Sequence, residues 1–482
     1  MARRRVVNNA TTLFTYMLSL ATSLITFLVL ISDANAEPGY RILWLLPFSF
    51  VVVMTLTTSI TERVSKSLTL TIAFGGYFVR FVLTPLFLAL GDYRFIFSRL
   101  VTSSEVEKAI ILMVYELFVV FLLVELFVRV TWRKPPRDKG MVNANTLLDD
   151  SSKNIHALLF VLSIFCLAIV VYVPEIVESY TWIFGQTEEI ANVRYNIDEI
   201  AIRGTLKRAL SSLFIFVFNL VRYLLPVYML RIVYRRRSSS GFAYWVSFLI
   251  CLSPFLVINE SNIQPFFGLM INVIMMNKLY PERKKATLCL FLLGGGFLVA
   301  AVAFAKLVLL AKWQGTSGTA SLALTLNAYF PGVGNVAAAY NVSRSFLLGT
   351  FLSDLFSTIP FRNTLFPSFA LQARTLTQLY NIANGTLGNI IPCISGAEYY
   401  VGPILAPLVP AFVLCMAVRM EVKGQTSRRY WEVFYYHFLA IRMAMIPSIY
   451  NHMSIIHMAI NQFLPLLLII SLGRRYGHNK SR

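Results

Sequence analysis

A chain of 482 residues with 57% apolar and only 14% charged residues departs from soluble globular domains, which sit near ~45–50% and ~25%. With a mean hydropathy of +0.66, these values exclude a soluble globule and describe a polytopic membrane protein. The net charge of +20 is therefore read first as loop orientation, and no nucleic-acid partner is expected. The five cysteines form no CxxC pair and four of them fall in apolar runs, so neither a metal site nor a disulfide framework is indicated. Cys393 alone is expected to face outward.

In chain order, Arg3, Arg4 and Arg5 precede an apolar run from Leu13 to Ile31. That run exceeds a usual signal core of ~7–15 residues, which favours an uncleaved anchor over a cleaved signal. A hydrocarbon core of ~30 Å takes ~20 apolar residues per helix. Twelve runs qualify or nearly do: Thr12 to Ile31, Ile42 to Thr57, Leu68 to Leu90, Ala109 to Val128, Ile155 to Val173, Leu210 to Leu230, Phe242 to Ile258, Pro265 to Leu279, Thr287 to Leu310, Val401 to Val418, Val433 to Ile446 and Ile455 to Leu472. The predicted fold is all-α, a polytopic integral membrane protein of about 12 transmembrane helices.

Lysine and arginine set the orientation. With Arg3 to Arg5 inside, every second connection is basic: Arg63 and Lys66, then Arg129 to Lys153, Arg231 to Arg237, Arg283 to Lys285, Arg419 to Arg429 and the tail from Arg474. This alternation predicts both termini in the cytoplasm. Five segments follow: helices 1–5 over 1–173, an outer loop over 174–209, helices 6–9 over 210–310, a large outer loop over 311–402, and helices 10–12 with the tail over 403–482. Loops of that length are functional or disordered, and these two are too apolar and aromatic for disorder. Within the second, Ser345 to Phe356 and Phe366 to Tyr380 read as short helices at the membrane surface.

Absent motifs narrow the chemistry. There is no GxxxxGK[ST] phosphate loop, no HExxH and no Asp-x-Asp pair, so no cofactor and no metal is expected. His452 and His457 are five apart, poor spacing for one helical face, and read as structural. The positive signal is arginine outside, against the usual bias. Guanidinium binds phosphate oxygens in pairs, so Arg194, Arg203, Arg344, Arg362 and Arg374 are candidates for an anionic substrate at the membrane surface. Each can equally be a solvated or headgroup contact. Glu398, beside Tyr399 and Tyr400, is either a general base with a raised pKa or a helix-start carboxylate. Tyr400 and the nearby tyrosines offer flat faces to sugar rings. Charges within spans, namely Arg80, Glu116, Glu125, Arg222, Lys306 and Arg442, are expected to pair or to line a cavity. Arg442 either reaches the anionic site from below or pairs with a glutamate.

On these residues the chain resembles the bacterial oligosaccharide repeat-unit polymerases of O-antigen and capsule synthesis, the Wzy type. The likeness in topology covers the whole chain. In sequence it rests on GTLGNIIPCISGAEYYVG, Gly385 to Gly402, similar to that family's Pro-x-x-x-Gly-Glu-x-Tyr-x-x-x-Gly segment, with Ala397 inserted between Gly396 and Glu398. Arginines followed at a set distance by glycine in the two outer loops also belong to that pattern: Arg374 and Gly385 are separated by ten residues, Arg194 and Gly204 by nine.

The resemblance implies a polymerase in the bacterial cytoplasmic membrane. It would join undecaprenyl-pyrophosphate-linked oligosaccharides at the outer face without nucleotide sugar, contacting membrane lipid and a chain-length regulator protein. Arg194, Arg374 and Glu398 would be catalytic, and Arg203, Arg344, Arg362, Tyr400 and Arg442 would bind substrate. Two rivals share the span number: the O-antigen ligase, which would lean on a histidine in the large loop where this chain has none, and a flippase, whose site near the midplane needs no such loop.

Overall fold

The computed structural model describes residues 10–33, 38–91, 101–132, 155–179, 205–237, 240–255, 263–291, 318–345, 347–360, 374–386 and 390–478. Among these residues all regular structure is helical. The first half of the chain forms α1 (Ala10–Ser32), α2 (Leu45–Leu56), α3 (Thr58–Val64), α4 (Leu68–Leu90), α5 (Ser103–Thr131), α6 (Ile155–Tyr172) and α7 (Thr205–Arg237). Then come α8 (Gly241–Leu252), α9 (Ile263–Leu279), α10 (Lys284–Leu290), α11 (Thr319–Tyr329), α12 (Val333–Ala339), α13 (Leu347–Ser357) and α14 (Leu376–Asn384). The last are α15 (Cys393–Leu405), α16 (Leu408–Thr426), α17 (Tyr430–Ile449) and α18 (Ser454–Gly473). Seven described segments are long and apolar enough to cross a bilayer, which makes the protein a multi-pass helical membrane protein.

Apolar residues on every side mark a helix that meets lipid on one face and protein on the other. In α6 only 22% of the apolar window is buried, against 56% in α4 and α7, so α6 lies at the perimeter with Phe160, Val161, Leu167 and Val171 exposed. The centre is α17, buried without interruption from His437 to Ile449. Neighbouring helices shelter its polar residues, which is why the apolar run Val433 to Ile446 reads short.

The helix ends gather at two poles. At one, both carboxylate oxygens of Glu421 accept from the start of α4, from Leu68 N at 3.0 Å, Thr69 N at 3.2 Å and the Ser67 hydroxyl. There too Glu125 accepts from the backbone N–H of Ser59 and Ile60 at 3.0 and 2.9 Å. Arg63, Lys423 and Arg429 belong to this pole. At the other pole Gly39 lies against the backbone of Ser103, and the Thr319 hydroxyl donates to Leu90 O at 2.9 Å.

From that second pole the chain turns back inward. Ala320 packs on Gly91, and Gly332 has reached Thr84, so α11 runs antiparallel to the end of α4. The buried Arg80, on a π turn at Val79–Leu83, meets the tip: its Nε donates to Pro331 O at 2.7 Å. Over the ten residues from Arg80 to Leu90 this is a descent of about 15 Å. α12 then returns against α5. Residues 318–339, part of the expected outer loop, are thus drawn in among the helices.

The expected span Val401 to Val418 needs correction. Gly402 adopts φ 78, ψ 167, a region that essentially only glycine occupies, and Pro403 follows. The chain bends by 107° between α15 and α16. Tyr115 donates to Ile404 O at 3.0 Å while Cys393 lies in the electrostatic field of Glu116. Both ends of α15 thus meet neighbouring residues of α5, so α15 crosses α5, and α16 alone continues to the Glu421 pole. Cys393 is buried at the start of α15. The expected ninth span extends past Leu290 into residues outside those described.

Candidate functional site

The site is built where α13, α14, α15 and two turns converge, on the second-pole side of the hairpin tip held by Arg80. A short ladder of polar contacts positions them. Buried Asn384 donates to Ala338 O at 3.0 Å and Tyr380 O at 2.9 Å, and Asn341 donates to Asn384 at 2.9 Å. Tyr380 donates to Asn335 O at 3.2 Å. These bonds fix α14 to α12 and occupy the amide of Asn384. They also set the turn 340–345, which carries Arg344.

Glu398 occupies the sixth position of α15, inside the helix and not at its start. Its Oε1 accepts from Arg344 Nη2 at 3.3 Å, with the carboxylate 8% and the guanidinium 51% exposed. The Tyr340 phenol donates to the same carboxylate, and burial together with Glu398 pushes the Tyr340 hydroxyl pKa up. The ion pair therefore has a sheltered anionic end and an open cationic end, leaving guanidinium N–H groups for a ligand.

A second carboxylate lies beside it, on a helix with an unusual division of faces. In α13 the polar residues Thr350, Ser353 and Asp354 are buried, while Leu348 and Leu352 are 72% and 49% exposed. Asp354 accepts from Tyr400 at 2.6 Å and from the first backbone N–H of α14, Leu376 N, at 3.0 Å. Burial raises its pKa, opposed by those two bonds. His452, in the turn after α17, brings Nε2 to 3.8 Å from Asp354 and its ring to 5.3 Å from Tyr400. Gly396 makes room for it, since a Cβ there would stand 1.9 Å from Nδ1. Burial depresses the His452 pKa to about 4, so the ring is neutral at physiological pH.

Arg374 is exposed and immediately precedes Thr375, the N-cap of α14, whose capping box with Gln378 is complete. Gly385, in the left-handed region at φ 62, closes the same helix. The ten-residue spacing between Arg374 and Gly385 is thus one capped helix. Its cationic end lies two residues from the N–H that Asp354 holds.

The structure joins Glu398, Arg344 and Tyr400 in this cluster and sets Arg374 at its edge. Arg442 stands elsewhere: it is buried in α17, 4.0 Å over the Phe267 ring, and forms no ion pair with a described glutamate. Arg194, Arg203 and Arg362 lie outside the described residues. The sequence points to Tyr340 only among the tyrosines offering faces to sugar rings and to His452 only as a structural residue, and it does not single out Asp354. The cue for Asp354 was one carboxylate on the polar stripe of an otherwise apolar helix. For His452 no local cue existed. Among the described residues no group of three or more metal-ligating side chains occurs.

Of the span charges, Arg80 and Glu116 pair at 2.8 Å and Glu125 caps α3. Arg222 donates to Pro254 O at 2.6 Å, and Lys306 lies outside the described residues. Chemically the cluster offers a sheltered carboxylate to accept a proton, open guanidinium groups to bind an anion, and phenols to meet hydroxyl-rich rings. No protein-family model, no curated protein and no solved structure matches this chain.

Proposed function

We propose that the protein is a glycan polymerase of the bacterial cytoplasmic membrane. It would transfer a growing oligosaccharide from undecaprenyl pyrophosphate to the next lipid-linked repeat unit. The observation that carries this reading is the Glu398 carboxylate, held by Arg344 and Tyr340 away from the basic helix ends. The positive-inside rule, applied to those basic ends, supports an outer-face site in the proposed twelve-span topology with both termini inside.

In the reaction a hydroxyl of the acceptor sugar attacks the anomeric carbon of the donor. The new C–O bond forms as the bond to pyrophosphate breaks, the proton passes to Glu398, and the lipid pyrophosphate leaves. Negative charge grows on the leaving group, where fixed cations act most strongly; Arg344 and Arg374 serve there, with Arg194, Arg203 and Arg362 as further candidates from sequence. Tyr400, braced by Asp354, presents a ring to the sugar. The activated lipid supplies the driving force, so no nucleotide is consumed.

Deletion in the native host tests this. A polymerase deletion leaves surface glycan of a single repeat unit. Loss of all surface glycan would assign a flippase instead, and long unattached glycan the ligase. The ligase reading draws one point of support from His452, a histidine that reaches the site from the turn after α17.

A further inference from the structure

Two buried arginines in the helical core are served very differently. Arg80, 1% exposed, donates to Glu116 and to two backbone carbonyls. Arg442, 2% exposed, has no partner for Nε or Nη1. Its guanidinium lies 4.0 Å over the Phe267 ring and 5.8 Å from the Tyr450 ring, and it donates to the Tyr450 hydroxyl, which leaves Nε and Nη1 idle among the described residues. Aromatic faces attract a cation, but they accept none of its in-plane N–H bonds. A buried charge with idle donors calls for an anion.

The neighbours of Arg442 reach the surface: His457, exposed at the start of α18, lies within its field, and Tyr450 is half-buried. The turn 450–453 also joins Arg442 to the first site, because Tyr450 faces Arg442 while His452 faces Asp354.

A reaction between two lipid-linked units has two diphosphates to hold, and the Arg344 cluster accounts for one. We infer that Arg442, with Tyr450 and Phe267, binds a second diphosphate, that of the partner lipid-linked unit. This rests on the polymerase reading for the identity of the lipid, whereas the anion site itself rests on the idle N–H groups. Paired N–H donors in one plane suit two phosphate oxygens, which lysine cannot reproduce.

Full-length protein in nanodiscs of zwitterionic lipid, titrated with undecaprenyl pyrophosphate and read by native mass spectrometry, tests it. Wild type is expected to bind two equivalents, Arg442→Met one, Arg344→Met one, and Arg442→Lys a second equivalent at least about tenfold weaker. One equivalent in wild type, or two retained in Arg442→Met, overturns the inference and leaves the first site standing. The wild-type count decides even where a variant does not fold. No equivalent in wild type sinks the polymerase reading itself. Two further arms separate sources of the same chemistry: occupancy by phosphatidylglycerol alone assigns the Arg442 site to bulk headgroups, and equal occupancy by inorganic pyrophosphate assigns it to a free anion. Either result overturns the lipid-linked assignment.

Discussion

The Arg80–Glu116 pair gives the most quantitative test of how the core positions the site. Arg80 reaches Pro331 O at the tip of the α11–α12 hairpin, Pro447 O near the end of α17, and Glu116 on α5, at 2.7, 3.3 and 2.8 Å. Tyr77 adds a bond to the same Glu116 oxygen at 3.2 Å. Arg80→Met leaves a fully buried carboxylate with one phenol donor and strands two carbonyls. Breaking a buried pair from one side costs about 3–5 kcal/mol. Removing both charges, in Arg80→Met with Glu116→Gln, takes away the uncompensated carboxylate. The double variant should therefore be more stable than Arg80→Met alone, with a coupling of about 2 kcal/mol. Apparent melting in detergent, followed by fluorescence-detected size exclusion, reads this. Strict additivity of the two single losses would refute a cooperative pair and with it the anchoring of the hairpin through Arg80.

Four further outcomes follow from single positions. Gly402→Ala forces a side chain into the φ 78, ψ 167 region, and should cost about 1–3 kcal/mol; an unchanged melting temperature would mean the α15–α16 bend is relaxed. Arg374→Ala should shorten glycan chains at unchanged protein level, whereas Gly385→Ala, at the left-handed end of the same helix, should lower stability by about 1 kcal/mol. Full-length polymer from Arg374→Ala would remove that arginine from the site. His452 is held neutral, with its pKa depressed to about 4. Its contribution to stability is complete above its ordinary value of about 6.5 and is lost as pH falls through about 4. His452→Gln should flatten the stability slope in that window, and an undiminished slope would place the titrating group elsewhere.

Hydropathy made the long helices legible, because a bilayer demands apolar length and little else. The run Leu68 to Leu90 coincides with α4, and Ile155 to Val173 ends one residue past α6. The break at Gly402 was also written in the chain, as a Gly-Pro pair, but the apolar run continued across it and hydropathy does not register backbone angles. The spacing of Arg374 and Gly385 was visible as a pattern, and its cause was not: one nine-residue helix with a threonine cap before it and a left-handed glycine after it. The inward course of residues 318–339 depends on Arg80 meeting Pro331 O, a contact 251 positions apart, which no local pattern carries. Asp354 and His452 stayed hidden for the same reason, since their significance arises when α13 and the turn after α17 meet across Gly396 and Tyr400.

The most direct measurement is reconstitution of the purified protein in liposomes with defined undecaprenyl-pyrophosphate-linked repeat units as the sole substrate. The account predicts that polymer ladders form without nucleotide or metal, that Glu398→Gln abolishes them with the protein still folded, and that Arg344→Lys shortens them. Ladders of wild-type length from Glu398→Gln, or none from wild type, would contradict it.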